Sequence, residues 1–168
     1  MKKKPVEADV SPSTLAFRLD DFLPYRLAVA AESVSRLIVR QHLVKSGLGM
    51  PEWRLLAAVG RFGVLSPTAA GEQTAMDKVK VSRAAAGLVS RGLLRQAQDP
   101  DDGRGRLLRL TRKGATLYAD VAPTAAAIEE VLMAGLSRTE WAALHKALGK
   151  LSDHTQSILG ADGDSEPD

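Results

Sequence analysis

The segment from Asp77 to Leu110 constrains the fold more than any other, because a short helix pattern is followed there by two strand patterns. Between Asp77 and Arg91, the apolar residues Val81, Ala85 and Leu88 lie within about 60° of one another on a helix of 3.6 residues per turn. Such a helix packs by one face against the rest of its domain and leaves the opposite face exposed.

The exposed face of this predicted helix carries small or basic side chains and lacks a bulky apolar group. It comprises Val79, Ser82, Arg83, Ala86 and Ser90, with Lys78 and Lys80 on its flanks. Such a face can approach base edges in a DNA groove, where arginine forms two hydrogen bonds with guanine, and Arg83 is the candidate for this contact. Lys78, Lys80 and Ser82 suit phosphate oxygens, which set register but carry no sequence information. The alternative interpretation is an ordinary surface helix.

Two strand-like runs follow this helix, Leu93–Ala97 and Arg106–Leu110. The eight residues that join them, Gln98 to Gly105, are rich in proline, aspartate and glycine, which favour turns. The two runs therefore predict a β-hairpin, which we call the wing. Its turn is expected to expose Arg104.

The basic residues of the wing suit the minor groove of DNA, whose negative potential attracts arginine. We expect Arg104 to enter the groove and Arg106 to lie nearby, while Asp99 and Asp102 hold the Arg104 guanidinium by charge-assisted hydrogen bonds. The stretch from Thr74 to Lys113 has ten basic and four acidic residues, although the net charge of the whole chain is only +3. This local excess is typical of a phosphate-contacting surface, and a solvated charged face is the alternative.

Helix patterns precede and follow this segment. Their starts are marked by Asp20 or Asp21 with Pro24, by Pro51, by Ser66 with Pro67, by Thr111, and by Ser137 with Glu140 as a capping box. The helices themselves are expected at residues 21–46, 51–61, 67–73, 112–136 and 138–159. Pro123 should bend the fourth of them. The predicted fold is therefore mostly α-helical with one small antiparallel sheet.

The first and last of these helices carry apolar faces that exceed what one small domain can cover. These faces comprise Leu23, Leu27, Val34 and Ile38 in the first helix, and Trp141, Leu144, Leu148 and Leu151 in the last. Large exposed apolar patches normally mark an interface, so we expect the chain to dimerise through its first helix and its last two helices.

Composition and spacing argue against an enzyme. The chain contains no cysteine, which excludes disulfides, thiol nucleophiles and zinc–thiolate sites. His42, His145 and His154 lack the spacing of a metal site, and no glycine-rich loop lies between a strand and a helix. We therefore predict no catalytic residue, cofactor or metal. No signal peptide or membrane-spanning run is recognisable, so the predicted location is the cytoplasm.

The ordered set of motifs resembles the MarR family of winged helix-turn-helix transcriptional regulators. The resemblance extends from Leu15 to Leu151 and rests on six segments: Phe22–Leu27, Pro51–Leu56, Asp77–Arg83, Arg91–Arg95, Asp99–Arg104 and Leu110–Gly114. The chain departs from the family in the first helix of the helix-turn-helix, where Ala70 and Gly71 stand in place of a large apolar anchor. This segment is therefore expected to be short or loosely packed.

The resemblance implies a homodimer, formed by the terminal helices, that binds a pseudo-palindromic double-stranded DNA operator and acts as a repressor. It implies contacts from residues 78–83 and a wing arginine at Arg104 supported by Asp102. A winged module for protein contacts, or an architectural DNA-binding protein without a ligand, is the alternative. The expected organisation is a flexible basic arm (1–14), one domain (15–160, with dimerisation helices at 15–50 and 112–160 and a winged helix-turn-helix at 51–111) and an acidic tail (161–168).

Many members of this family release DNA when a small aromatic or phenolic compound enters a cleft between the dimer region and the winged domain. The candidate cleft residues implied for this chain are Tyr25, Arg26, Ser33, His42 and Trp53. Simpler interpretations exist for three of them: a core position for Trp53, a surface position for His42, and a solvated or dimer-contact charge for Arg26.

Overall fold

A computed structural model describes residues 17–98 and 105–163 of the chain. The predicted basic arm (1–14) and residues 164–168 of the predicted acidic tail lie outside the described residues. The chain forms two compact units, one that ends at Met50 and one that starts at Pro51.

The first unit is built around helix α1 at Leu23–Ile38, with a 3-10 turn at Leu19–Asp21 before it and a π-helical turn at Val39–Leu43 after it. Pro24 lies in the first turn of α1, as predicted. The π turn, which the sequence pattern did not indicate, replaces the end of the continuous helix that was expected.

The predicted N-cap of α1 at Asp20 or Asp21 is wrong. Both aspartates belong to the 3-10 turn, and Phe22 occupies the cap position without a side-chain hydrogen bond. The physical reason is that the 3-10 turn already uses this stretch of backbone: the Phe22 N–H donates to the Leu19 carbonyl at 3.0 Å.

The second unit contains five helices and three strands within the described residues. They are α2 (Met50–Phe62), β1 (Val64–Leu65), α3 (Pro67–Thr74), α4 (Lys78–Ser90), β2 (Leu94–Gln98), β3 (Arg106–Leu110), α5 (Arg112–Met133) and α6 (Arg138–Gly163). The boundaries of α2, α3, α4, β2 and β3 fall within one residue of those predicted. No helix among the described residues is long and apolar enough to cross a membrane.

Local capping explains why the helices of this unit start where they do. The side-chain oxygens of Ser66, Asp77 and Thr111 accept hydrogen bonds from backbone N–H groups in the first turns of α3, α4 and α5. At the start of α6, the Ser137 N–H donates to Glu140 Oε2 at 2.8 Å and the Glu140 N–H donates to Ser137 Oγ at 3.3 Å. This reciprocal pair confirms the predicted capping box.

The three strands form an antiparallel sheet in the order β1-β3-β2. The wing is the β2–β3 pair, with Leu94 opposite Leu110 and Gln98 opposite Arg106. Strand β1, which pairs Leu65 with Leu108, was not predicted, because two residues are too short to show an alternating pattern.

The core of the second unit joins α2, α4 and the sheet. Its most deeply buried side chains are Leu55, Leu56, Val59, Val81, Leu88, Leu93, Leu94 and Leu108, each no more than 2% exposed. Pro123 lies inside α5, which continues past it as one helix. The inward residues predicted for α4, which are Val81, Ala85 and Leu88, are all buried.

Candidate nucleic-acid interface

The α3–α4 pair has the helix-turn-helix geometry despite its small residues. The turn between the helices passes through Ala75, whose φ of 51° lies in the left-handed region. A Cβ added to Gly71 would lie 3.0 Å from the Met76 carbonyl oxygen, so glycine allows the turn to close tightly over α3. Ala70 is fully buried. Small side chains here produce a close approach of the two helices, and α3 is eight residues long.

The inner face of α4 is firmly packed. Val81, Ala85 and Leu88, the three residues predicted to face inward, are at most 3% exposed, and Ala84 is buried beside them. Because this face is fixed, the opposite face has a defined direction. All five candidate contact residues on it are exposed: Lys78, Val79, Lys80, Ser82 and Arg83.

The first turn of α4 contains a local charge pair. Asp77 Oδ1 accepts a hydrogen bond from the Lys80 N–H at 2.8 Å, and Lys80 Nζ lies 3.1 Å from Asp77 Oδ2. The pKa of Asp77 is lowered, mainly by the backbone hydrogen bond from Lys80 and to a smaller extent by the contact with the Lys80 ammonium group. Among the residues that the structure describes, Arg83 makes no ion pair and is available for an external acceptor.

The wing brings a further cation to α4. Arg106 Nη1 donates to Gln96 Oε1 across the two strands at 3.2 Å. Arg106 and Gln96 line a cavity of about 560 Å³ together with Lys78 and Ser82 of α4. The structure thus brings three of the predicted DNA-contacting residues to the rim of one depression.

Arg104, Asp99 and Asp102 lie outside the described residues. Their assignment as the wing arginine and its supporting carboxylates stays a prediction.

The C-terminal end of α4 is held by two other helices. Lys113 Nζ, from α5, donates to the Arg91 carbonyl at 3.0 Å, and Thr111 Oγ1 donates to the Gly92 carbonyl at 2.7 Å. From α2, Glu52 Oε2 lies 3.7 Å from Arg91 Nη1. These contacts from α2 and α5 all hold the C-terminal end of α4.

A separate cavity of about 400 Å³, which we call the α2–α5 cavity, lies in the same unit. Its lining includes Trp53, Arg54 and Arg61 of α2 and Tyr118 of α5. The Trp53 and Tyr118 rings stack with their centroids 6.4 Å apart. Two guanidinium groups beside two aromatic rings suit a flat anion, since arginine binds carboxylates and the rings provide apolar contact.

Trp53 was predicted from the sequence, whereas its neighbours in this cavity were not. The spacing of Trp53, Ala57 and Arg61 along α2 is that of one helix face, which is a signal that could have found Arg61. No local signal indicates that Tyr118, more than sixty residues later in the chain, would stack on Trp53.

The other predicted cleft residues belong to the first unit. Tyr25 and Arg26 are exposed on α1, and Ser33 Oγ accepts a hydrogen bond from Arg36 Nη2 at 3.2 Å. His42 lies in the π-helical turn, where its Nε2 is buried and has no hydrogen-bond partner among the described residues. His42 is thus partly buried, and its role as a cleft residue stays a prediction, as do those of Tyr25, Arg26 and Ser33.

No group of three or more histidine, aspartate or glutamate side chains suited to a metal ion occurs in the part of the chain that the structure describes.

Comparison with known proteins decides the family. The model of the MarR family matches residues 46–105. A probable transcriptional regulator from Pseudomonas aeruginosa is 30% identical in sequence, and the match covers 80% of this chain and 99% of that one with a TM-score of 0.71. The chain belongs to the MarR family. Its mostly helical fold with a small antiparallel sheet is the winged-helix fold of that family, as the sequence predicted.

Two further structures resemble this MarR-family chain. BpsR from Bordetella bronchiseptica, whose DNA binding is regulated by 6-hydroxynicotinic acid, is 28% identical, with 77% of this chain and 98% of that one covered and a TM-score of 0.70. A mutant of MarR from E. coli complexed with operator DNA shares the fold at 22% identity, with 77% and 92% covered and a TM-score of 0.71. No curated protein matches the chain in sequence.

Proposed function

We propose that this MarR-family chain is a transcriptional repressor that binds a pseudo-palindromic double-stranded operator as a homodimer. The observation that carries the proposal is α4, whose buried inner face fixes an outer face of small and basic side chains next to Arg106 of the wing. A major groove admits a helix of this kind. The complex of a mutant of E. coli MarR with operator DNA, a protein of the same fold, supports binding to an operator.

The residues of the interface have distinct roles in this proposal. Arg83 reads guanine, and the exposed Val79 is suited to the methyl group of thymine. Lys78, Lys80 and Ser82 contact phosphate oxygens. Arg106 of the wing adds positive charge beside them. Arg104, held by Asp99 and Asp102, enters the minor groove.

The homodimer is proposed from apolar side chains that the single chain leaves uncovered. Leu144, Leu148 and Leu151 of α6 are 40%, 44% and 39% exposed, and Leu23 of α1 is 59% exposed. Binding of two operator half-sites requires the two copies of α4 in such a dimer to lie about 34 Å apart, one helical turn of DNA. Residues 15–50 and 112–160 are the proposed dimerisation segments, and 51–111 the DNA-reading segment.

A small aromatic or phenolic acid is proposed as the effector, with the α2–α5 cavity as its principal contact site. Arg54 and Arg61 would hold the carboxylate, and Trp53 and Tyr118 would contact the ring. The regulation of BpsR by 6-hydroxynicotinic acid supports this chemical class. Such a ligand releases DNA only if it binds the DNA-incompetent arrangement more tightly, and about 1.4 kcal/mol of coupling gives a ten-fold loss of affinity.

Fluorescence anisotropy with the DNA immediately upstream of the protein's own gene tests the main proposal. We expect binding at least about 10³-fold tighter than to a scrambled duplex of the same length at physiological salt. Arg83→Ala should lower this ratio, whereas Arg138→Ala, a matched change at an exposed position in α6, should leave it unchanged. Equal binding to both duplexes would favour an architectural protein, and no binding to either would favour a module for protein contacts.

Titration of salicylate into the preformed complex tests the effector. Release of the operator, accompanied by quenching of Trp53 fluorescence in a Trp141→Phe background, is the expected result. Unchanged DNA affinity and unchanged emission across a panel of aromatic acids would contradict the ligand switch while leaving the DNA-binding proposal intact.

A further inference from the structure

One acidic side chain of α2 lies across the C-terminal half of α4. Glu52 Oε2 is 3.7 Å from Arg91 Nη1, and both side chains are partly buried. A Cβ added to Gly87 would lie 2.6 Å from Glu52 Oε1. The carboxylate of Glu52 therefore occupies the space that any side chain at position 87 would need.

The presence of glycine at position 87 is explained by this contact. Glycine is a poor helix former, and Gly87 lies in the interior of α4, where alanine would favour the helix more. The backbone at Gly87 adopts no conformation that only glycine can reach, since the positive-φ glycines among the described residues are Gly47, Gly63 and Gly92. With glycine at position 87 the Glu52 carboxylate can rest against α4, and a larger side chain there would displace it.

The ion pair itself contributes little to stability. A partly exposed pair at 3.7 Å is at the weak end of such contacts, because solvent screens the charges. The contact does, however, connect α2 to the C-terminal half of α4. Glu52 lies against α4 at Gly87 and meets the side chain of Arg91, while Lys113 of α5 donates to the Arg91 carbonyl.

We propose that Glu52 is a positioning residue that sets the direction of α4 for reading bases. The proposal rests on the proposed function, in which Arg83 contacts a base. Arg83 lies one turn before Gly87 and two turns before Arg91, so a tilt at that end of α4 moves the guanidinium of Arg83. Hydrogen bonds to base edges weaken steeply with misalignment, whereas attraction to phosphates falls off slowly. Loss of the Glu52 contact should therefore reduce discrimination between sequences more than it reduces binding to any sequence.

The variant Gly87→Ala tests this directly. Alanine favours the helix, so α4 should stay folded, but its methyl group displaces the Glu52 carboxylate. We expect the ratio of affinities for the upstream DNA and a scrambled duplex to fall about five-fold, which corresponds to roughly 1 kcal/mol. Affinity for the scrambled duplex should change less than about two-fold, since phosphate contacts supply it. Gly160→Ala is the matched control, because a Cβ there meets nothing within 4 Å and the position lies more than about 100° around α6 from Leu144, Leu148 and Leu151.

The double variant Glu52→Ala/Gly87→Ala makes the assignment specific. With the carboxylate gone, the methyl group at position 87 has nothing to displace, so the double variant should match Glu52→Ala alone rather than show summed losses. An unchanged ratio in Gly87→Ala, or losses that add, would overturn the positioning role.

A measurement without DNA separates this proposal from the proposed function. Hydrogen exchange of the backbone amides at residues 88–92 should be faster in Glu52→Ala than in the wild type, and unchanged in Gly160→Ala. A wild-type protein that does not discriminate between duplexes would contradict the proposed function. A discriminating wild type whose amides exchange at the same rate in Glu52→Ala would overturn only the role of Glu52.

Discussion

Helices α4 and α6 both carry apolar residues at helical spacing, but only α4 buries them within the chain. Val81 and Leu88 of α4 are at most 1% exposed, whereas Leu144, Leu148 and Leu151 of α6 are between 39% and 44% exposed. The same sequence signal therefore has two physical outcomes. In α4 the apolar face completes the core of the DNA-reading unit, and in α6 it is left for another surface to cover.

This difference indicates which parts of the molecule can act alone. The packing of α4 against α3 and β2 is complete in one chain, so its outer face is presented without help from a partner. The uncovered face of α6 is suited to a second copy, since contiguous apolar patches on soluble proteins normally mark interfaces. Substitutions in the two helices should therefore affect different equilibria.

The largest effect is expected for Leu88→Ala in α4. Leu88 is fully buried, and its truncation should lower the free energy of unfolding by about 2–5 kcal/mol through lost burial and a residual cavity. Urea denaturation of wild type and variant measures this. The matched change Leu159→Ala, at a leucine that is 71% exposed, should have a much smaller effect. Equal losses in the two variants would contradict the contrast between the helices.

The next effect is expected for Leu148→Glu in α6. A carboxylate in an apolar dimer interface is poorly solvated, so the dissociation constant of the dimer should rise roughly 30-fold or more, about 2 kcal/mol. Sedimentation equilibrium measures it. Lys150→Gln makes the same change in net charge about 160° around the helix and should leave the dimer intact. A wild type that sediments as a monomer at micromolar concentration would contradict the proposed dimer.

The parts of the fold that depend on neighbouring residues in the chain could be predicted better than the parts that depend on distant ones. Ser66, Asp77 and Thr111 each bond within three residues, so the starts of α3, α4 and α5 could be found from the sequence. At α1 the same type of signal failed, because Asp21 was recruited into a 3-10 turn.

The candidate sites show the same division. The outer face of α4 follows from helix periodicity alone, and its exposed residues could be named in advance. The α2–α5 cavity could not, since it depends on Tyr118 meeting Trp53 from a distant helix. The contact between Glu52 and Gly87 was equally inaccessible, because no spacing rule relates residues on two different helices.

Arg83→Ala in α4 should weaken DNA binding without affecting the dimer that α6 is proposed to form. Loss of a bidentate contact to guanine should weaken operator binding by about 1–3 kcal/mol and relax discrimination at one base position per half-site. Competition binding with operator duplexes substituted at single positions measures this. Because Arg83 is exposed and unpaired by any described acid, the dimer dissociation constant and the unfolding free energy should stay at wild-type values. An unfolding change as large as that of Leu88→Ala would indicate a structural role instead.

Lys80→Ala should have a smaller and sequence-independent effect. Lys80 suits a phosphate contact, so its removal should weaken all duplexes alike and reduce the slope of log K against log salt by about 1 per half-site. The pair with Asp77 would be exchanged for the phosphate on binding. Anisotropy titrations between low and physiological salt measure the slope. If base preference changed in Lys80→Ala but not in Arg83→Ala, the roles of the two residues would be reversed.

The smallest effect is expected in the pH dependence of stability, where the carboxylates at the starts of α4 and α6 can be compared. Asp77 at the start of α4 and Glu140 at the start of α6 both have a lowered pKa, the first through the N–H of Lys80 and the second through the hydroxyl of Ser137. A carboxyl whose pKa is lower in the folded state stabilises the fold above its unfolded pKa, and this contribution is lost as the pH falls through the folded pKa. Asn and Gln retain a hydrogen-bond acceptor but do not titrate. We therefore expect Asp77→Asn and Glu140→Gln to be less stable than the wild type at pH 7. The difference should start to shrink near about pH 4, the ordinary pKa of carboxyl groups, and should close only below the lowered folded pKa. Urea denaturation at several pH values measures this convergence. Stability curves that remain parallel down to acid pH would show that the caps act through the acceptor alone and not through the charge.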